Sequence, residues 1–144
     1  MPTSNFVILD TSVLIAGFRS PTGASAELVR LALRGTVKAA ASVAIFLEYE
    51  EVLQREDQRL AHGRSREQID LFLRVLAGVL IPVDIYFHWR PQLLDADDEM
   101  VLDAAIAGGV MAIVTHNTRH FVPAARSFGI KVLTPPQFLA EVKS

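Results

Sequence analysis

Hydrophobic positions along the chain alternate between short unbroken runs and helical spacing. Phe6-Val7-Ile8-Leu9 is a continuous apolar run of strand-forming residues. Such a run suits a strand buried on both faces of a parallel sheet. It ends on a charge, Asp10, and apolar spacing resumes at Val13-Leu14-Ile15, so the pattern predicts a strand over about 6–10, a tight turn and a helix start. Gly17–Gly23 carries Pro and Gly punctuation and reads as a loop. Leu28, Val29, Ala32 and Leu33 predict a helix over 25–34 that stops at Gly35. Val37–Ala41 is a weak strand, its alanines giving little signal. Ser42 can cap the helix that follows.

That helix is expected from Val43 to about Arg55, with Ile45, Phe46, Tyr49, Val52 and Leu53 on one apolar face. The polar stretch 54–66 reads by default as a solvated connection. Ser65–Gln68 is a capping-box pattern that opens a helix to about Gly78, with Ile69, Phe72, Leu73 and Leu76 on its inner face. Leu80–Tyr86 is strand-like, but Pro82 restricts it to an edge or a strand start. His88, Trp89 and Arg90-Pro91 form a loop, with Trp89 as a packing residue. A helix runs from the acidic cluster at 95–99 to about Ala107, ended by Gly108-Gly109. Val110–Val114 is the clearest strand after the first. His116–His120 is a polar turn, a short helix follows through Arg126, Gly129–Thr134 is a last strand, and Pro135-Pro136 opens a terminal helix.

Strands alternating with helices from end to end predict an α/β fold with a mostly parallel central sheet flanked by helices in three layers. The length, 144 residues, fits one domain over 1–144. Composition narrows the picture. Hydrophobic residues are 51% of the chain, which excludes a disordered protein. There is no cysteine, hence no disulfide framework and no thiolate ligand or nucleophile. No apolar run has the length of a membrane span and no basic-then-apolar leader opens the chain, so a cytoplasmic location is expected. The formal net charge of −2 gives no global basic field, so any nucleic-acid binding must use a local patch. Arg55, Arg59, Arg64 and Arg66 make 54–66 the most basic stretch, and Arg19 lies in the loop near Asp10. Phosphate contact is the sharper reading of these arginines.

Ligands of an open parallel sheet bind beyond the carboxyl ends of its strands. Asp10, Ser42 and the Thr115–Asn117 turn all follow strand ends, so they share one side. The plainer role for Asp10 is to cap the next helix. Glu48 lies about 40° past Val52 at one border of the apolar face, Glu50 flanks the other, and Glu51 points outward. Periodicity does not choose between Glu48 and Glu50. Asp98 shares a stripe with Val101, Leu102 and Ala105 and is aimed inward, where a carboxylate must be paired, hydrogen-bonded or bound to metal. Asp97 points away, and Asp103 on a flank reads as solvated. Carboxylates from distant parts of the chain that converge in one cleft repel unless a cation neutralises them. An oxygen-only ligand set selects Mg²⁺ or Mn²⁺ over zinc, and such a site suits phosphoryl chemistry.

Five segments in order, LDTSVLI at 9–15, LEYEEVL at 47–53, DADDEMVLDAA at 95–105, IVTHNTRHF at 113–121 and GIKVLTPPQFL at 129–139, resemble the PIN-domain ribonucleases, many of which are toxins of type II toxin–antitoxin pairs. The resemblance spans nearly the whole chain. It implies a PIN-like fold and a metal-dependent endoribonuclease with Mg²⁺ or Mn²⁺ as cofactor. It places Asp10, Glu48 and Asp98 at the family's metal-binding, catalytic acids, and it is the resemblance that selects Glu48 over Glu50. Ser12, Arg19, Thr115 and Asn117 take supporting or substrate-binding places. Ser12 stands where the family often has Asn. Asn117 stands where it often has Asp, which offers an oxygen without a charge and weakens a second metal position. RNA, a small antitoxin protein and a second copy of the chain are the partners implied.

Other α/β phosphotransfer enzymes fit less well. A haloacid-dehalogenase-like phosphatase needs a second Asp at position 12, which is Ser, and a response-regulator receiver needs an extra acid at the end of its first strand. The remaining rival is a PIN-like module that binds RNA or protein without cutting.

Overall fold

The structure, a computed structural model, describes residues 5–85 and 96–143, with the side chains of Ala96, Asp97 and Ala124 outside that description. The loop expected at His88–Pro91, with Trp89, falls outside the described residues, as do Tyr86 and Asp95. In chain order the elements are β1 (Val7–Leu9), α1 (Thr11–Arg19), α2 (Ala24–Leu33), β2 (Ala39–Ala41), α3 (Val43–Leu53), α4 (Glu56–His62), α5 (Arg66–Val79), β3 (Ile81–Pro82), α6 (Ala96–Gly108), β4 (Ala112–Val114), α7 (Thr118–Arg126), β5 (Lys131–Leu133) and α8 (Pro135–Lys143).

The five strands form one parallel sheet in the order β3-β2-β1-β4-β5. The register runs Val7↔Ala39 and Ile8↔Ala40 toward β2, and Val7↔Ala112, Ile8↔Ile113 and Leu9↔Val114 toward β4. The central strands are buried along their whole length, as unbroken apolar runs require. Pro82 lies in the edge strand β3, the place where a missing backbone N–H costs no ladder bond. The chain builds outward from β1 through β2 to β3, then returns to build β4 and β5 on the other side. With right-handed crossovers the two directions carry their helices on opposite faces, giving the helix–sheet–helix layering expected from the sequence. The order reverses between β1 and β4, and it is at such a switch point, beyond the strand ends, that open parallel sheets bind ligands.

Several local devices set the helices that flank the sheet. The Ser42 hydroxyl accepts the Ile45 N–H at 3.2 Å and caps α3. Ser65 and Gln68 form the full capping box on α5. Gly17 permits α1 to approach α2, since a Cβ there would lie 3.3 Å from the Ala26 backbone. Gly35 takes φ +77° where α2 ends, a conformation that favours glycine.

Four expectations change. The strand expected over Leu80–Tyr86 is confined to Ile81–Pro82 among the described residues, the pairing with β2 ending at Pro82. The loop expected at Gly17–Gly23 is shorter, because α1 continues through Arg19. Residues 54–66 are not a plain connection but contain α4, which buries no residue, so its polarity masks its helical period. Asp103, read as solvated, is only 5% exposed, because α6 buries Val101 through Ala105 without a solvent face.

The cap on α3 yields a direct test. Ser42→Ala should destabilise the protein by about 1 kcal/mol in urea unfolding, the usual value of a lost N-cap, and Ser42→Asp should retain most of the stability. An unchanged Ser42→Ala midpoint would show that the cap does not hold α3.

Candidate active site

Asp10 follows β1 and occupies the N-cap position of α1, with φ −63° and ψ 150°, yet its side chain makes no capping hydrogen bond. The plainer role is therefore not the one it plays. Its Oδ2 instead accepts two hydroxyls, Thr115 Oγ1 at 2.7 Å and Ser12 Oγ at 2.8 Å. Asp10 is 8% exposed and Thr115 fully buried. Each hydroxyl has a single hydrogen, and both direct it at the same carboxylate oxygen. The 3.5 Å approach between Ser12 Oγ and Thr115 Oγ1 follows from that shared acceptor.

The hydroxyls are themselves oriented by backbone. The His116 N–H donates to Ser12 Oγ at 3.2 Å, and the Asn117 N–H donates to Thr115 Oγ1 at 2.9 Å. The turn after β4 thus faces the end of β1 through two N–H to hydroxyl to carboxylate relays, each bond polarising the next. The Asp10 backbone joins the same seam, its N–H donating to the Val114 carbonyl at 2.9 Å. The positive end of the α1 dipole adds to the stabilisation of the carboxylate charge.

The other candidate acids border this seam from helices. Glu48 is half-buried on α3, whereas Glu50 and Glu51 are exposed. Asp98 opens α6, and its side chain is 13% exposed. The inward aim read from its stripe is confirmed by that burial. Asp98 Oδ2 accepts from His120 Nδ1 at 3.1 Å. Both helices touch the acid's neighbourhood, since α6 packs on β1, β4 and α3. Among the described residues, however, no three His, Asp or Glu side chains already stand as one metal-ligand group.

The supporting residues divide. Ser12 and Thr115 contact Asp10 directly. Asn117 contributes its backbone to the relay, with its side chain at the exposed end of the turn. Arg19 is exposed and donates to Gln58 Oε1 at 3.1 Å, tying α1 to α4. Much of the basic stretch has similar work: Arg55 pairs with Glu51 at 3.1 Å, and Arg59 donates to the Gln54 carbonyl at 3.2 Å. Arg64 donates to the Phe18 carbonyl at 3.1 Å and lies 4.7 Å over the Phe18 ring.

Three contacts were not legible in the sequence. The Tyr49 hydroxyl donates to the Leu9 carbonyl, next to Asp10, and burial first, then the Asp10 charge, push its ionisation well above the ordinary tyrosine range. The buried Ser25 hydroxyl shares a 2.8 Å hydrogen bond with His116 Nε2 and so fixes that ring at the cleft rim. His120 reaches Asp98 from α7. Only the side-chain types at polar turns and face borders could have suggested these, because each joins residues far apart in the chain.

A family model described as "PIN domain" matches residues 6–119. No curated protein matches the chain. The fold is similar to that of three solved structures. One is described as VapBC2 from Rickettsia felis bound to a DNA fragment from their promoter, with 14% identity, TM-score 0.63 and coverage of 90% of this chain and 98% of the other. Another is FitAB bound to an IR36 DNA fragment, with 18% identity, TM-score 0.57 and coverage of 90% and 94%. The third is VapBC-1 from nontypeable Haemophilus influenzae, with 16% identity, TM-score 0.59 and coverage of 91% and 98%.

Thr115→Val keeps shape while removing both the donor to Asp10 and the acceptor for the Asn117 N–H. Urea unfolding should show a loss of about 1–3 kcal/mol, the cost of leaving buried polar groups unpaired. An unchanged midpoint would mean that water already satisfies both.

Proposed function

The chain belongs to the PIN-domain family, and from that membership we propose that it is a metal-dependent endoribonuclease, the toxin of a toxin–antitoxin pair. The observation that carries this reading is the state of Asp10. A carboxylate in a capping position that declines to cap, is nearly buried, and is held by two hydroxyls at the switch point of a parallel sheet is organised for a ligand.

The donor set fits a hard divalent cation by its chemistry. Asp10, Glu48 and Asp98 supply carboxylate oxygens, Ser12, Thr115 and Asn117 supply neutral ones, and the chain has no cysteine thiolate to favour zinc. The acids stand on elements that pack together, and among the described residues no three His, Asp or Glu side chains already stand as one metal-ligand group. When bound, Mg²⁺ or Mn²⁺ would supply charge stabilisation at the phosphodiester and a more acidic water. The chain's own part is to hold the Asp10 carboxylate in place through Ser12 and Thr115. Asp98, which accepts from His120 Nδ1, would hold the ion together with Asp10 and Glu48. Arg19 and Arg66 are exposed and offer charge for the RNA phosphates.

The same reading brings a small antitoxin and a second copy of the chain as partners, and a cytoplasmic location. Apolar side chains one turn apart on exposed helix faces, Val43 with Leu47 and Leu71 with Val75, support contact with protein. Among the described residues no helix is long and apolar enough to cross a membrane.

A second reading, a module that binds RNA or protein without cutting, is favoured by one feature: Asn117 brings no charge to a position where the family often has an acid. Cleavage of mixed cellular RNA decides between them. The purified protein should cut with Mn²⁺ or Mg²⁺ and stop on chelation. Asp10→Asn and Asp98→Asn should each lose about 100-fold or more of that activity while keeping the parent circular-dichroism spectrum, as when charge stabilisation of a transition state is removed. Binding without cleavage at any metal concentration would establish the non-cutting module, and full activity in either variant would refute the assignment of the acids.

A further inference from the structure

Packing explains the Tyr49 ring but not its hydroxyl. Tyr49 is 1% exposed and is among the largest fully buried side chains. A phenylalanine would fill the same space without burying an O–H that needs a partner. The partner it has is specific: the main-chain carbonyl of Leu9.

The sheet explains why that carbonyl needs a donor. Toward β4 the pairing of β1 continues through Leu9↔Val114. Toward β2 it stops at Ile8↔Ala40, because the chain after Ala41 turns into the Ser42 cap and α3. Leu9 is 2% exposed, so water is not at hand to replace the missing ladder bond. The α3 helix that ends the ladder returns a donor to it seven residues later, through Tyr49.

The bond joins two dipeptides, Leu9-Asp10 and Glu48-Tyr49. Each carries one of the carboxylates assigned to the cation, on elements that do not otherwise share a ladder. We propose that Tyr49 is a positioning residue whose O–H, bonded to the Leu9 carbonyl, sets the separation of Asp10 and Glu48 that a divalent cation requires. This rests on the metal-dependent reading given above.

The test compares the full-length parent with Tyr49→Phe, by Mn²⁺ calorimetry and by RNA cleavage over a Mn²⁺ series. Tyr49→Phe should bind Mn²⁺ roughly 10-fold or more weakly, as expected when an outer-shell partner of a ligand is lost. The Mn²⁺ concentration for half-maximal cleavage should rise by the same factor, kcat at low Mn²⁺ should fall, and KM for RNA should stay unchanged. A hydroxyl with a purely structural role would lower the melting temperature and leave Mn²⁺ affinity at the parent value, and that result overturns the proposal. The parent separates the two levels of inference. If it binds Mn²⁺ and cleaves, equal affinity in the variant sinks only the role of Tyr49. If it binds no Mn²⁺, the metal-dependent reading falls and the positioning role with it.

Should Tyr49→Phe fail to fold, 3-fluorotyrosine at position 49 in a Tyr86→Phe background gives a second readout. Mn²⁺ should broaden its fluorine resonance, as expected for an ion held between Asp10 and Glu48. A resonance that stays sharp at saturating Mn²⁺ overturns the proposal.

Discussion

The hydroxyl clamp on Asp10 is the interaction on which the rest of the site depends. A carboxylate that is 8% exposed must be compensated where it stands. Here the compensation comes from Ser12 on its own helix and Thr115 from the far side of the switch point. The clamp works only if β1 and β4 end in register, which the Leu9↔Val114 pair ensures. It also needs the turn after β4 to send the His116 and Asn117 N–H groups back toward those hydroxyls. Sheet order, register and turn geometry thus converge on one oxygen atom.

Placement of the candidate acids around this clamp has a physical logic. Among the described residues the donors to the Asp10 carboxylate are two neutral hydroxyls. Asp98 meets an imidazole, a partner that a cation can replace. Glu48 rides on a helix anchored at Ser42 and again at Tyr49, so its backbone position is set from two directions.

Much of this was legible in the sequence because the decisive signals are local. The unbroken run before Asp10, the Ser42 cap, the Ser65–Gln68 box and Pro82 at a sheet edge each state their structure within a few residues. Asp98 was legible too, since its stripe with Val101, Leu102 and Ala105 gives its direction. What escaped was of two kinds. The α4 helix carries no buried residue, so periodicity had nothing to register; Glu56 and Asp57 in its first turn and Gly63 at its end were the available signals. Asp103 escaped because α6 is buried around much of its circumference, and a flank position then no longer means solvent. The arginines of 54–66 read as a patch by composition, whereas Arg55, Arg59 and Arg64 are largely occupied in holding α4 and its neighbours. Long-range bonds such as Tyr49 to Leu9 leave no local pattern at all.

The central claim, that the acids at this switch point hold one divalent cation, is tested most directly by crystals of the protein soaked in Mn²⁺ and measured for anomalous scattering. The account predicts a single strong peak beyond the ends of β1 and β4, with oxygens of Asp10 and of Glu48 or Asp98 at roughly 2 Å, the distance for a small hard divalent ion. A map with no peak there, and Asp10 still bonded only to Ser12 and Thr115 at saturating Mn²⁺, would contradict it.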